Sequence, residues 1–323
     1  MASSRLQRAA VCAFAASAAL LALALRGQRA GRVHCRIGPH ARCAGVDLSG
    51  RDLRHADLRS ADLRDARLIG TDLEQADLRG ADLRGALLIG VDLARAKLSQ
   101  AILRKALLRS CDLEAADMSR ADLRGADMDG NDLESARLVG AQLAGVRLRG
   151  VDMESADLLG SDARDADFSG ANLGRARLSA ARLGGARLLG ANLASARLEG
   201  TRLTAADLRR ASLGERRPRD PTQPDDTGSG ALLVDTDFRG ADLRGSDLRG
   251  VVVLRGSLAG ARLAGAQTTG ARWLDVRFQG TFCPEGQRVS TACPGFQVPG
   301  SVAARQRAEA RVAALRARPW PQD

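Results

Sequence analysis

The chain has no tyrosine, and only 2% of its 323 residues are aromatic. A conventional globular core leans on large side chains of that kind. Here the apolar share comes mainly from Ala and Leu, which predicts a narrow, repetitive core. Histidine is almost missing too. His34, His40 and His55 all lie near the N-terminus, while Ser and Asp recur mainly as members of a repeated pattern. A catalytic centre needs acid, base or nucleophile converging in a pocket, and a solenoid filled by its own side chains offers none. No catalytic residue, cofactor, metal or small-molecule substrate is expected. Acid is absent from the first 46 residues, which carry seven Arg, and the last 28 add a net +3. Of the formal +11 this leaves +1 for residues 47–295. That even mixture argues against nucleic acid as a partner, because a nucleic-acid surface needs clustered positive charge.

Arg5 and Arg8 precede an apolar run from Ala9 to Leu25. A basic stretch followed by such a run is the order of a secretory signal, and Ala22-Leu23-Ala24 supplies small residues for cleavage. Arg26, Arg29, Arg32 and Arg36 follow the run, a flank that instead suits an uncleaved anchor and a route to the membrane. Residues 1–30 are therefore read as a signal peptide or anchor, with a cytoplasmic chain as the alternative. Six cysteines are present. Cys12 lies in the apolar run and Cys111 within the repeat. The others form two local pairs, Cys35/Cys43 and Cys283/Cys293, and in an exported chain local pairs read as disulfides. His34, Cys35, His40 and Cys43 are also zinc-type ligands, at a spacing that matches no standard finger.

From Leu48 to Leu213 an apolar residue recurs every five positions, 34 in all. Leu, Met or Phe fills every one except Ala163. Two residues before each stands a small residue, Ala in 24 cases, and between them a polar residue, most often Asp. Five is neither a helical nor a strand period. On an α-helix five-residue steps rotate by about 500°, so the Leu would spiral over every face; on a continuous strand they would alternate between faces. The chain must therefore turn once per unit. Columns at spacing 20 count the sides of the coil. Gly50, Gly70 and Gly90 begin one; Asp52, Asp72, Asp92, Asp112, Asp132 and Asp152 form another, continued by Asn172 and Asn192; Arg64, Arg84, Arg104, Arg124 and Arg164 form a third. Residues 20 apart must stack, which gives four sides of five residues. Burying one Leu contributes roughly 1.5–3 kcal/mol, while ordering five backbone residues costs about 1–2 kcal/mol each. A single unit cannot stand alone, and stability must come from stacking.

The unit, as in Ala61-Asp62-Leu63-Arg64-Asp65, resembles the pentapeptide-repeat family, A-(D/N)-L-x-x. The resemblance covers residues 46–213 and, more loosely, 231–280. It implies an all-β fold, a right-handed four-sided β-helix, with the central Leu and the Ala two before it facing inward. Arg51 and Asn131 stand where a small inward residue belongs, so the coil is expected to bulge there. The resemblance also raises one known role, protection of DNA gyrase by an acidic, duplex-shaped rod. The near-neutral body and Arg177, Arg182, Arg187, Arg197 and Arg202, which replace Asp, argue against that role.

The remaining segments divide the chain further. Residues 31–45 read as an N-terminal cap. Residues 214–230, with Pro218, Pro221 and Pro224 among charges, read as a loop leaving the coil. The repeat resumes over 231–280, decaying at Thr268, Trp273 and Phe278. Residues 281–300 read as a C-terminal cap in which Phe282, Phe296 and the Cys283–Cys293 bridge cover the open strand edges. A short amphipathic helix is expected over 301–318, with Ser301 as its cap and Ala304, Ala308, Val312 and Leu315 on one face. It would fold over the last coil, serve a partner or touch acidic lipid. The functional expectation is an exported or membrane-anchored scaffold with no enzymatic activity, using flat faces or the loop to bind a protein or acidic polymer. The contact candidates are Arg64, Arg84, Arg104, Arg124 and Arg164 on the coil and Arg216, Arg217 and Arg219 in the loop. The alternative is a cytosolic mimic of DNA that modulates gyrase, and the alternative for the Arg column is a solvated face paired with neighbouring Asp.

Overall fold

The structure is a computed structural model that describes residues 35–214 and 230–296, together with Gln306, Glu309, Ala310 and Ala313. Its local rule is a turn at every fifth residue. From His40 to Arg210, and again from Asp235 to Gly280, the last residue of each unit has a φ between 51° and 71°. This left-handed backbone suits glycine, which has no Cβ to clash, and it explains the Gly50 column. Where a larger residue sits there, hydrogen bonds between turns hold the conformation; the His55 N–H donates to the Glu74 carbonyl at 3.0 Å.

Parallel pairing at a separation of 20 joins the turns, as in Asp52 with Asp72 and Asp72 with Asp92. The result is a right-handed β-helix of four sides. Side 1 carries the Leu48 series, side 2 the Leu53 series, side 3 the Leu58 series and side 4 the Leu63 series. Most units pair through isolated bridges, and three-residue strands stand out on two sides. On side 1 these are β1 (Arg67–Ile69), β2 (Leu87–Ile89) and β3 (Leu107–Arg109), and on side 3 they are β4 (Leu232–Val234), β5 (Val252–Leu254) and β6 (Arg272–Leu274). The central residues from Leu48 to Leu213 are buried, and most are wholly so. The small Ala163 is followed by the large Phe168 at the next inward position, and both are fully buried.

The exceptions to the inward rule do not bulge. Arg51 is exposed at the first turn, and pairing continues unbroken through Asp112, Asp132 and Asp152 on either side of Asn131. Asn131 stays buried because its amide donates to the Leu108 carbonyl at 3.2 Å and the Met128 carbonyl at 2.9 Å. Thr71, Thr201, Thr236 and Thr281 solve the same problem with their hydroxyls, each donating to a backbone carbonyl of the preceding turn. A buried polar group so satisfied costs little.

The coil crosses the interruption without losing register. In an ordinary corner the N–H three residues after the Leu donates to the Leu carbonyl, as Ala61 does to Leu58. After Leu213 that bond comes from Ala231, at 2.8 Å, so residues 214–230 replace a single corner between sides 2 and 3. Leu232 then pairs with Arg197, and Asp237 with Arg202. The expected decay is seen only at Thr268, which is partly exposed, whereas Trp273 and Phe278 are buried.

Both disulfides are present, and each places one cysteine in the core column. Cys43 holds the inward position five before Leu48 and pairs with Cys35; Cys283 holds the position five after Phe278 and pairs with Cys293. The first bridge engages both thiols of the zinc-type quartet. At the C-terminal end, β7 (Thr281–Phe282) and β8 (Arg288–Val289) form a hairpin, and the Phe296 ring stacks on Trp273 at 4.5 Å. Phe296 therefore covers the end as expected. Phe282 does not: it points outward, 5.6 Å from the Arg288 guanidinium. The leader, the loop arginines Arg216, Arg217 and Arg219, and most of 301–318 lie outside the described residues. Of the last segment, Gln306, Glu309, Ala310 and Ala313 are helical and exposed.

Candidate interaction surface

The residues flanking each inward Leu, one before and one after, point outward together because a strand alternates its faces. In the A-D-L-R unit this places Asp and Arg side by side. Arg64 reaches Asp62 with both Nε, at 2.7 Å, and a terminal nitrogen, at 2.6 Å, and Arg84 grips Asp82 in the same way. Arg164 pairs with Asp162, while Arg104 and Arg124 share Asp122. The predicted column therefore exists on side 4, and every one of its charges is already met by a carboxylate. Similar pairs recur at Arg59–Asp57, Arg79–Asp77, Arg209–Asp207 and Arg244–Asp242. Their guanidinium groups are solvent-exposed, so each pair contributes little to stability. Their larger effect is to cancel the field. The hydrogen bonds from Arg54 and Arg59 hold the carboxyls of Asp52 and Asp57 down to about 2.

Side 2 differs. Asp72, Asp92, Asp112, Asp132 and Asp152 stack in one column, with Glu74, Glu114, Glu134 and Glu154 two residues on. Each Asp accepts a hydrogen bond from the N–H two residues later, at 2.9–3.0 Å, so the turn fixes its orientation. Among the described residues no cation lies within ion-pair distance of Asp92, Asp112, Glu114, Asp132 or Glu134. Burial, and then the charges of Asp112 and Asp152 above and below, push the Asp132 carboxyl up from its ordinary value. Burial does the same for Asp92 and Glu134, with the neighbouring carboxylates adding to it. The ladder ends in amides: Asn172 donates to Asp152 at 2.9 Å, and Asn192 to Asn172 at 2.7 Å.

The near-neutral total of the sequence thus conceals a separation by side. Spacing 20 was legible in the Asp column, but the Glu column beside it, and the lack of Arg between them, went unread. Aligning the outward positions at that spacing would have revealed both. Histidines 40 and 55 occupy corner positions well apart in the chain, with His34 outside the described residues, and the interior is filled by Leu and Ala.

Known proteins carry the same pattern. The family model for pentapeptide repeats matches in eight copies, over residues 41–80, 66–104, 76–114, 101–141, 136–175, 171–210 and 229–252. Among solved structures, HetL from Nostoc sp. strain PCC 7120, a pentapeptide repeat protein involved in heterocyst differentiation regulation, is 28% identical. That match covers 76% of this chain and 92% of HetL, with a TM-score of 0.40. QnrB1, a plasmid-mediated fluoroquinolone resistance protein, is 16% identical over 70% of this chain and 96% of its own, with a TM-score of 0.29. A pentapeptide repeat protein of the Arabidopsis thaliana thylakoid lumen is 26% identical over 45% and 72%, with a TM-score of 0.19. No curated protein matches. With the repeat model matched over more than half of its length and the five-residue turn present throughout, the chain belongs to the pentapeptide repeat family.

Proposed function

We propose that this chain is a non-enzymatic binding scaffold, exported or membrane-anchored, that presents side 2 to a basic region of a partner protein. The observation that carries this reading is the Asp and Glu ladder from Asp72 to Glu154. Five turns at about 4.8 Å give a strip roughly 20 Å long, pre-ordered by its turns and lacking counter-charge over its middle rungs. A rigid surface loses little conformational freedom on binding, and a concentrated charge steers a partner of opposite sign. The Arg column on side 4 is a weaker docking surface for an acidic polymer, because its charges are held by Asp62, Asp82, Asp122 and Asp162. Export is supported by the two disulfides, which persist in oxidising compartments, and by the order of residues 1–25. No helix among the described residues is long and apolar enough to cross a membrane.

The acidic strip also favours a second reading, the DNA mimic, in which side 2 stands in for a phosphate backbone. It ranks behind the first because only one side of four carries the field and the leader points out of the cytoplasm. Cell fractionation, with non-reducing mass mapping of the thiols, tests the choice. Recovery outside the cytoplasm with both bridges closed supports the scaffold. Recovery in the cytoplasm, with the leader-free protein inhibiting gyrase supercoiling at micromolar concentration, would replace it with the mimic.

A further inference from the structure

Outward positions on the coil are polar almost everywhere, yet strands β4 to β6 on side 3 carry Leu232, Val234, Val252, Leu254 and Leu274 there. The register stacks them into two short columns, Leu232 on Val252 and Val234 on Leu254 on Leu274. Each is at most 4% exposed. Side 1 provides a comparison of the same geometry and chemistry. Ile69, Leu87, Ile89 and Leu107 occupy equivalent outward positions of β1 to β3, and all of them remain partly exposed. Outward packing within a side therefore does not bury such residues, and the chain itself must cover the strip on side 3.

We infer that residues 302–318 are that cover, an amphipathic segment docked with Ala304, Ala308, Val312 and Leu315 against the apolar strip. Three observations select it. The chain leaves the C-terminal cap at Phe296, whose ring stacks on Trp273, the central residue of the strip's last strand. The residues described as helical and exposed, Gln306, Glu309, Ala310 and Ala313, lie opposite that apolar face at about 100° per residue. Glu309 also acts electrostatically on Arg255, at the corner beside the strip, where Asp235 is the guanidinium's main partner. The competing segments fit poorly. Residues 215–229 contain no Leu, Ile, Val, Met, Phe or Trp, and residues 1–34 join the rod at its opposite end. The end of the coil is already closed by Phe296, so the segment serves the flank and not the tip.

The test is limited trypsin digestion of the full chain, read at Arg305, Arg307, Arg311 and Arg316. The double substitution Val312→Asp/Leu315→Asp should speed cleavage there at least ten-fold, while Ala310→Asp, on the exposed face, leaves it unchanged. Leu254→Asp should release the segment as well, with the segment's own sequence intact and the β-helix checked by circular dichroism. Equal cleavage in all variants and the wild type would overturn the inference. So would release on deleting 215–229, which would assign the strip to the loop, or protection that vanishes on dilution, which would assign it to a second copy.

Discussion

Replacing Asp132 by Asn should stabilise the protein, although it removes a charged residue from a regular column. The structure supplies the reasoning. Asp132 pairs through its backbone with residue 112 below and residue 152 above, both Asp. Two unit charges about 5 Å apart in water repel by about 0.8 kcal/mol, and more where the local dielectric is lower. Removing the central charge relieves two such contacts, so the gain should be about 1–1.5 kcal/mol at low salt. The turn is not lost, because Asn192 shows the alternative chemistry in place: its Oδ1 accepts the Ala194 N–H at 3.2 Å while its Nδ2 donates down the column to Asn172. Urea unfolding at about 10 mM salt and again near 0.5 M reads the effect. The gain should shrink at the higher salt, where the screening length falls well below 10 Å. Asp77→Asn on side 3 is the control: it breaks the exposed Asp77–Arg79 pair and should not stabilise the protein. A loss of stability in Asp132→Asn, or a gain indifferent to salt, would refute the reasoning.

The same charges set the pH profile. The folded-state values of Asp92, Asp132 and Glu134 lie above the ordinary ones, so between the two values the folded state holds protons the unfolded chain has released. Stability should rise as the pH falls from 7 towards that window, then drop below 3.8 as Asp52 and Asp57, held near 2, lose their partners; a steady decline from pH 7 would contradict this. Ala163→Leu should cost about 1–3 kcal/mol by overpacking, and Phe168→Leu in the same chain should recover most of it in urea unfolding. Removing the Cys283–Cys293 bridge by Cys293→Ala should cost about 2–4 kcal/mol and open residues 283–296 to proteases before the rest of the coil. Alkylation should find Cys111 silent in the native protein and reactive once unfolded, since it is buried and unbridged.

The fold was legible because one physical constraint repeats. A five-residue phase forces a turn per unit, and columns at 20 count the sides, so Leu48 to Leu213 could be placed inward without coordinates. Local exceptions were harder. Whether Asn131 is tolerated depends on the carbonyls of Leu108 and Met128, which only the turn geometry brings within reach. The candidate surface was half legible. The Arg column was visible as a column, yet its neutralisation by Asp62 and Asp82 follows from which side chains share a side, and a net charge carries no such information. Phe282 illustrates the same limit: its type suited a cap, but its place just before the inward Cys283 aims it outward.

Side 2 as the recognition surface is tested most directly by comparing two sets of substitutions in one pull-down from the extracytoplasmic fraction. Asp112→Asn/Asp132→Asn/Asp152→Asn keeps the turns and weakens the field at its centre; Arg64→Ala/Arg84→Ala/Arg104→Ala/Arg124→Ala removes most of the side 4 column. The account predicts a partner that the wild type and the Arg set retain and the Asn set loses. A partner lost with the arginines and retained with the asparagines would contradict it.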